Sequence, residues 1–466
     1  MKNSKVGNLA LACLIAGSLT TNTATSAGVK RIPLPVKREN FARTDAVVSP
    51  GDLQSLRDSF NRLAWDEFDF SVRGRADPNV ALGTFDRGIV LSQSALGAKA
   101  DTLQDILAEA HVQIPVELLH PAVNELVTTE TEGVNSLEQH TMLWGQGRYR
   151  GQRYLFAKPY IKATLAYYGA GLQPVDYRGK PIETRQSIQG WVSGNLGHDW
   201  DLSSWSRPTT RQQFTHTTRL DGHWAESVDV AAVSERRFEG FDGKHQLIPG
   251  IQLNGVLAGV ETATYKAVEL PLADSDLALL VIMPSFEQFS SVESLLGPEF
   301  LSGLLTQLQP GERTWILPVV DFEWRTAHGN SGQQSSEQAA DFSGVNARGY
   351  LYQSGINSGA AIQLSADGAR FESLAIATLT ATGPEPSDLY GGGSGSYGSV
   401  RTQASFCQDV PHWRTDLADV RPFFYFLRDK RTDMILALGK VSQINGPQAS
   451  PDYVTNPCNF TIQAAP

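Results

Sequence analysis

Two apolar runs near the C-terminus, Phe423-Phe424-Tyr425-Phe426-Leu427 and Met434-Ile435-Leu436-Ala437-Leu438, flank the charged stretch Arg428-Asp429-Lys430-Arg431-Thr432-Asp433. Five consecutive apolar residues leave no polar face, so each run is read as a strand buried on both sides, joined to the other by a charged turn. Such a hairpin needs cover above and below, and the rest of the chain offers it in a definite order. Leu53, Leu56, Phe60 and Leu63 recur at spacings of three and four behind Ser49-Pro50, which predicts an amphipathic helix with one buried face. More helices are expected before residue 200. From Phe214 onward the texture changes to short apolar runs bounded by Pro, Asp and Ser, such as Ala267–Leu272 and Leu277–Pro284. Those are strand signals. Helices first and strands later predict an α+β fold in a single large domain.

The N-terminus begins MKNSK, continues through the apolar stretch Leu9–Leu19 and reaches Thr25-Ser26-Ala27, small residues suited to a signal-peptidase site. Residues 1–27 are read as a signal peptide, giving a secreted or periplasmic protein. The apolar stretch is well short of the roughly 20 residues that span a bilayer. Leu9-Ala10-Leu11-Ala12 fits a lipid-attachment signal at Cys13 poorly. Removing the leader takes away Lys2 and Lys5, moving the formal charge from −10 to −12. An acidic surface argues against nucleic acid or an anionic membrane as partner. Cys407 and Cys458 then remain, an even count in a compartment where disulfides persist, so a Cys407–Cys458 bond is expected, with two free thiols as the alternative. Composition breaks divide the chain into an N-terminal extension (28–50), a main domain (51–445) and a C-terminal tail (446–466).

The segment RPFFYFLRDKRTDMILALGKV at 421–441 resembles the C-terminal signature of the serpin family. Further similarities follow in family order. They are Leu96-Gly97-Ala98-Lys99-Ala100-Asp101-Thr102, Ile188-Gln189-Gly190-Trp191-Val192, Leu220-Asp221-Gly222-His223-Trp224, Tyr265–Leu272 and Ala340-Asp341-Phe342-Ser343-Gly344. Together they cover roughly residues 52–443. The resemblance implies a serpin fold of three β-sheets with about eight or nine helices, with a main sheet that includes strands near 214–220 and 345–367. It also implies function as a suicide-substrate inhibitor of a serine protease, monomeric and without cofactor or metal. An exposed loop is cut, and its N-terminal part then enters the main sheet, the strand addition by which serpins act. Trp224 is expected as a packing residue at the top of that sheet.

The reactive loop maps to 366–420. Ala366-Asp367-Gly368 stands where the family has Glu-Glu-Gly, and Gly368, Ala369, Phe371 and Ser373 form the hinge. Odd-numbered residues from Ala369 to Ala381 are small or apolar, while Arg370 and Glu372 fall on the other face, an alternation suited to a strand. Phe371, Leu374 and Ile376 are bulkier than the family's hinge, so overpacking of about 1–3 kcal/mol is expected to slow insertion and Phe371→Ala to quicken it. Beneath the sheet, the family's Ser, Ser, Asn and His cluster corresponds to Gly83, Asp86, His216 and Ser358, where an unpaired Asp86 would be costly. Counting from Gly368 places the scissile bond at Thr382–Gly383, with Arg401–Thr402 as the alternative. The stretch beyond carries Gly391-Gly392-Gly393-Ser394-Gly395-Ser396, a flexible tether.

Other classes find little support. Gly329-Asn330-Ser331-Gly332 resembles a hydrolase nucleophile string but lacks the His and Asp contexts of such enzymes. The nine histidines show no metal-ligand spacing, and His216 and His223 are read as structural. The alternative that stays open is a non-inhibitory serpin acting as a binding or surface-interaction protein.

Overall fold

The computed structural model describes residues 30–33, 44, 48–73, 79–197, 199–239, 245–285, 287–328, 340–346, 350–381 and 419–444. The leader, Gly329–Gly332, both proposed scissile bonds, Cys407, Cys458 and the tail lie outside them. Among the described residues there are nine helices. They are α1 (Pro50–Ser71), α2 (Thr84–Gly97), α3 (Ala100–Glu109), α4 (Val116–Thr131), α5 (Lys158–Tyr168), α6 (Pro181–Leu196), α7 (Phe289–Leu295), α8 (Pro298–Gln307) and α9 (Ser343–Asn346). The strands before residue 200 are β1 (Arg31–Ile32), β2 (Asn79–Leu82), β3 (Leu137–Gln146), β4 (Arg148–Tyr149), β5 (Gln152–Arg153), β6 (Phe156–Ala157) and β7 (Gly171–Val175). The middle of the chain adds β8 (Thr210–His223), β9 (Asp229–Glu239), β10 (His245–Glu261), β11 (Tyr265–Pro271), β12 (Leu277–Pro284), β13 (Gln309–Pro318) and β14 (Val320–His328). Last come β15 (Leu351–Leu364), β16 (Gly368–Ala381), β17 (Asp419–Val420), β18 (Phe423–Asp429) and β19 (Ile435–Val441).

The main sheet has six strands in the order β14-β15-β16-β8-β3-β7. A second path of strands is two sheets sharing one long member. β10 pairs with β9 over His245–Asn254, with β13 over Gly250–Gly259 and with β11 only at its end, over Ala258–Glu261. From β11 the order continues through β12, β18 and β19 to β2. The expected three sheets are therefore present, two of them joined through β10, with β1–β6 and β4–β5 as small ribbons.

The local chemistry explains the main elements. Ser49 caps α1 by accepting a hydrogen bond from the Asp52 amide at 3.1 Å, with Pro50 at the first helical position, where a missing N–H costs nothing. Leu56, Phe60 and Leu63 are buried along one face. The same helix supplies the cover that the C-terminal hairpin needs: Trp65 meets Phe426 at 5.5 Å between ring centroids and Phe68 meets Phe424 at 6.2 Å. Every residue of β19 is buried. In the turn, Arg428 bridges Glu269 and Asp433, each at 2.6 Å, which neutralises the charges that close the hairpin. α2 is sunk between this layer and the main sheet, and α6 lies across the opposite face of the main sheet.

Candidate functional site

The hinge segment forms β16, a central strand of the main sheet, hydrogen-bonded in register to β15 on one side and β8 on the other, antiparallel to both. It leaves β15 through a tight turn over residues 365–367. There the Ser365 amide donates to the Gly368 carbonyl at 3.0 Å, and the Asp367 amide donates to Ser365 Oγ at 3.2 Å. Gly368 has a φ of 156°, and any side chain there would run into the Gly222 carbonyl. Trp224 holds the same turn from below: its amide donates to the Asp367 carbonyl at 3.2 Å and its indole Nε1 to the Ser365 carbonyl at 3.1 Å. Trp224 is thus tied to the hinge turn by both its amide and its indole.

Both faces of β16 are enclosed. Ala369, Phe371, Ser373, Ala375, Ala377 and Leu379 face α2 and the main core, with Phe371 only 2% exposed in a row between Leu220 and Ile362. The opposite face corrects the expectation from sequence. Leu374 and Ile376 are fully buried in a second core built from Ile188, Val192 and Leu196 of α6, Trp144 of β3, and Trp200 and Trp205 of the following loop. The bulk expected to hinder insertion fills two prepared sites instead. A close-packed layer takes large side chains without strain when facing positions leave matching space. Gly359 on β15 leaves such space, since a Cβ there would lie 2.5 Å from Trp200 Cζ3 and 3.3 Å from Leu374 Cδ2.

The polar side chains of β16 are partnered. Ser373 Oγ donates to Asp86 Oδ2 at 2.5 Å. Gln213 Nε2 reaches Thr378 Oγ1 at 3.1 Å, and Thr380 Oγ1 donates to Ser354 Oγ at 2.9 Å. Asp86, in the first turn of α2, is completely buried, and its other oxygen meets Thr218 Oγ1 at 2.5 Å and His216 Nδ1 at 2.8 Å. The carboxyl expected to be a liability therefore has three partners, one of them donated by the inserted strand. Gly83 makes this possible: an ideal Cβ at that position would overlap Ser373 Cβ and lie 2.7 Å from Ser373 Oγ. Thr218 had no place in the sequence reading. Its signal was its spacing of two from His216, which puts both on one face of a strand.

Ser358 lies in the same cross-strand row but does not reach Asp86. Ala375 pairs with Ser358 on one side and with His216 on the other. Ser358 Oγ and His216 Nε2, both buried, have no hydrogen-bond partner among the described residues. Also among the described residues, no cluster of His, Cys, Asp and Glu is placed to hold a metal ion, and no helix is long and apolar enough to cross a membrane.

Comparison with known proteins agrees with this architecture. The sequence profile described as Serpin (serine protease inhibitor) matches residues 58–444. An uncharacterized serpin-like protein of Methanosarcina mazei is 22% identical, over 94% of this chain and 98% of its own length. Human Serpin B3 is 21% identical over 84% of this chain and all of its own. Among solved structures, a cleaved Serpin 42Da aligns with a TM-score of 0.67 at 15% identity, covering 84% of this chain and 98% of that one. The thermophilic serpin Tengpin in its latent state aligns equally well, at 16% identity over 86% and 100%. With its profile match spanning most of the sequence and its fold shared with these structures, the chain belongs to the serpin family.

Proposed function

We propose that this serpin is an exported inhibitor of a serine protease and acts as a suicide substrate through insertion of its cut loop. Serpins generally target serine proteases, and the observation that carries the reading here is β16 itself, which the main sheet accommodates with both faces buried and its polar side chains partnered. In the proposed reaction the protease serine Oγ attacks the carbonyl carbon of Thr382. The Thr382–Gly383 amide bond breaks, the Gly383 nitrogen leaves with a proton, and an ester joins Thr382 to the protease. Thr382 directly follows Ala381, the last residue of β16. Thirteen steps of about 3.3 Å separate the ends of that strand, so insertion carries the ester roughly 43 Å along the sheet. Water then meets an ester held far from where it formed, in a protease pulled against the end of the sheet. Arg401–Thr402 is the alternative bond if the target cuts after basic residues.

Ser358 and His216 support a two-state sheet. Neighbouring strands lie about 4.8 Å apart, so with β16 out of the sheet β15 and β8 become neighbours and the two unpartnered groups face each other directly. The loop-out form would then have a hydrogen bond that insertion gives up.

One observation favours the second reading, a non-inhibitory binding protein: β16 occupies the sheet while the chain is uncut. Incubation with a panel of serine proteases separates the two on a denaturing gel. A covalent serpin–protease band stable in SDS is the expected result. Cleavage without such a band, or no reaction at all, overturns the inhibitor reading.

A further inference from the structure

Two charges enter the sheet with β16, and the receiving strand carries their complements. Arg370 lies opposite Asp221 and Glu372 opposite Arg219. Arg370 Nε reaches Asp221 Oδ1 at 2.5 Å, and the other oxygen of Asp221 is held by Arg219 Nε at 2.8 Å. Glu372 is 5% exposed, and its Oε1 and Arg219 Nη1 both border Gly197, at 3.6 and 3.2 Å from where a Cβ would stand. On the β15 side the corresponding residues are Gln363 and Ala361, without charge, so the complementarity belongs to β8 alone.

We propose that Arg370 and Glu372, with Asp221 and Arg219, form a cross-strand charge code that sets the register in which the main sheet accepts the loop. This rests on the reading that residues 369–381 enter the sheet. A slip of one residue exchanges the faces of the strand and sends Phe371 and Ser373 away from α2. A slip of two preserves the faces; it is resisted by the packing of Phe371 and by the Ser373–Asp86 hydrogen bond, and the charges add a second discrimination. Sliding one way places Glu372 beside Asp221, sliding the other way places Arg370 beside Arg219, and like charges directly opposite are destabilising. Arg370 and Glu372 lie next to the hinge turn, so they are among the first side chains to meet β8 as the strand zips from Gly368. The code therefore acts on the rate of insertion as well as on its final register.

The test uses the full chain, cut once by a protease within residues 382–418, in four forms: unaltered, loop-reversed (Arg370→Glu with Glu372→Arg), sheet-reversed (Arg219→Glu with Asp221→Arg), and all four changes together. Insertion is followed by gain of urea resistance and by tryptophan fluorescence, since Trp200 and Trp205 pack with Leu374 and Ile376. At about 50 mM salt each reversed form is expected to insert on the order of tenfold more slowly, and the fourfold variant to recover to within about twofold of the unaltered chain. The differences should collapse near 1 M salt, where the screening length falls to about 3 Å. A fourfold variant as slow as the partial ones, or a slowing that ignores salt, overturns the code. If cutting the unaltered chain changes neither signal, hydrogen exchange of residues 369–381 decides: fast exchange means that the insertion reading has failed, whereas slow exchange means that β16 was in the sheet before the cut. In the latter case the code is read from the urea midpoints of the four uncut proteins, where recovery in the fourfold variant supports it and none refutes it.

Discussion

Replacing Phe371 by alanine should weaken the hold of β16 in the main sheet and not quicken its entry. Phe371 is 2% exposed, part of the main core, and aligned between Leu220 and Ile362. Truncating a buried Phe typically costs about 3–5 kcal/mol, the lost transfer energy plus the cavity left behind. In the loop-out form the side chain has no such surroundings, so the loss falls on the inserted form alone. At 1.4 kcal/mol per factor of ten, the insertion equilibrium should drop by at least about a hundredfold. An unfolding entropy of roughly 2.1 cal/mol/K per residue gives the chain about 1.0 kcal/mol/K, so the cut, inserted protein should melt about 3–5 °C lower. Differential scanning calorimetry of the cut protein measures this, with Leu374→Ala as a second probe on the opposite face. An unchanged or raised Tm for Phe371→Ala, together with more covalent complex, would show that Phe371 is strained in the sheet and that the packing argument is wrong.

Gly83→Ala should lower the melting temperature of the inserted form, because the added methyl overlaps Ser373; combined with Ser373→Gly, which relieves the overlap but takes a donor from Asp86, it should cost clearly less than the sum of the two single changes in the same thermal scan. Glu130 gives a pH dependence. Burial, reinforced by the neighbouring Asp429 carboxyl, raises its pKa to about 7 from a usual 4.5. A carboxyl raised on folding favours the folded state while protonated, so its contribution is fully present below about pH 4.5 and is lost as pH rises toward 7, a change on the order of 3 kcal/mol. Asp429 is itself buried, which acts upward, but hydrogen bonds from Arg431 hold it below 3.8, beneath that window. Urea midpoints between pH 4.5 and 8 should therefore fall in the unaltered protein, and Glu130→Gln should flatten the curve.

The parts of the fold that could be read in the sequence are those whose signals are local. Ser49-Pro50 and the spacing from Leu53 to Leu63 mark α1, and the two apolar runs around Arg428–Asp433 mark β18 and β19. Gly83, Asp86 and His216 were identified through the family pattern and do lie together. What was missed depends on residues far apart in sequence. Nothing around Trp200, in a polar loop, announces that it will pack with Leu374 and Ile376 of a strand more than 170 residues later. The pairing of Arg370 with Asp221 needs the register of β16 on β8, which the alternation of residues leaves open by steps of two. Ser358 fell outside the Asp86 contacts because Ala375 stands between it and His216.

Hydrogen–deuterium exchange reads out whether residues 369–381 form a central strand of the main sheet. After a single cut within residues 382–402, peptides covering Ala369–Ala381 should exchange as slowly as those covering β8 and β15, since their amides are paired to neighbours on both sides. Exchange of those peptides within seconds, with β8 and β15 still protected, would mean that the sheet leaves the loop outside and would contradict the account.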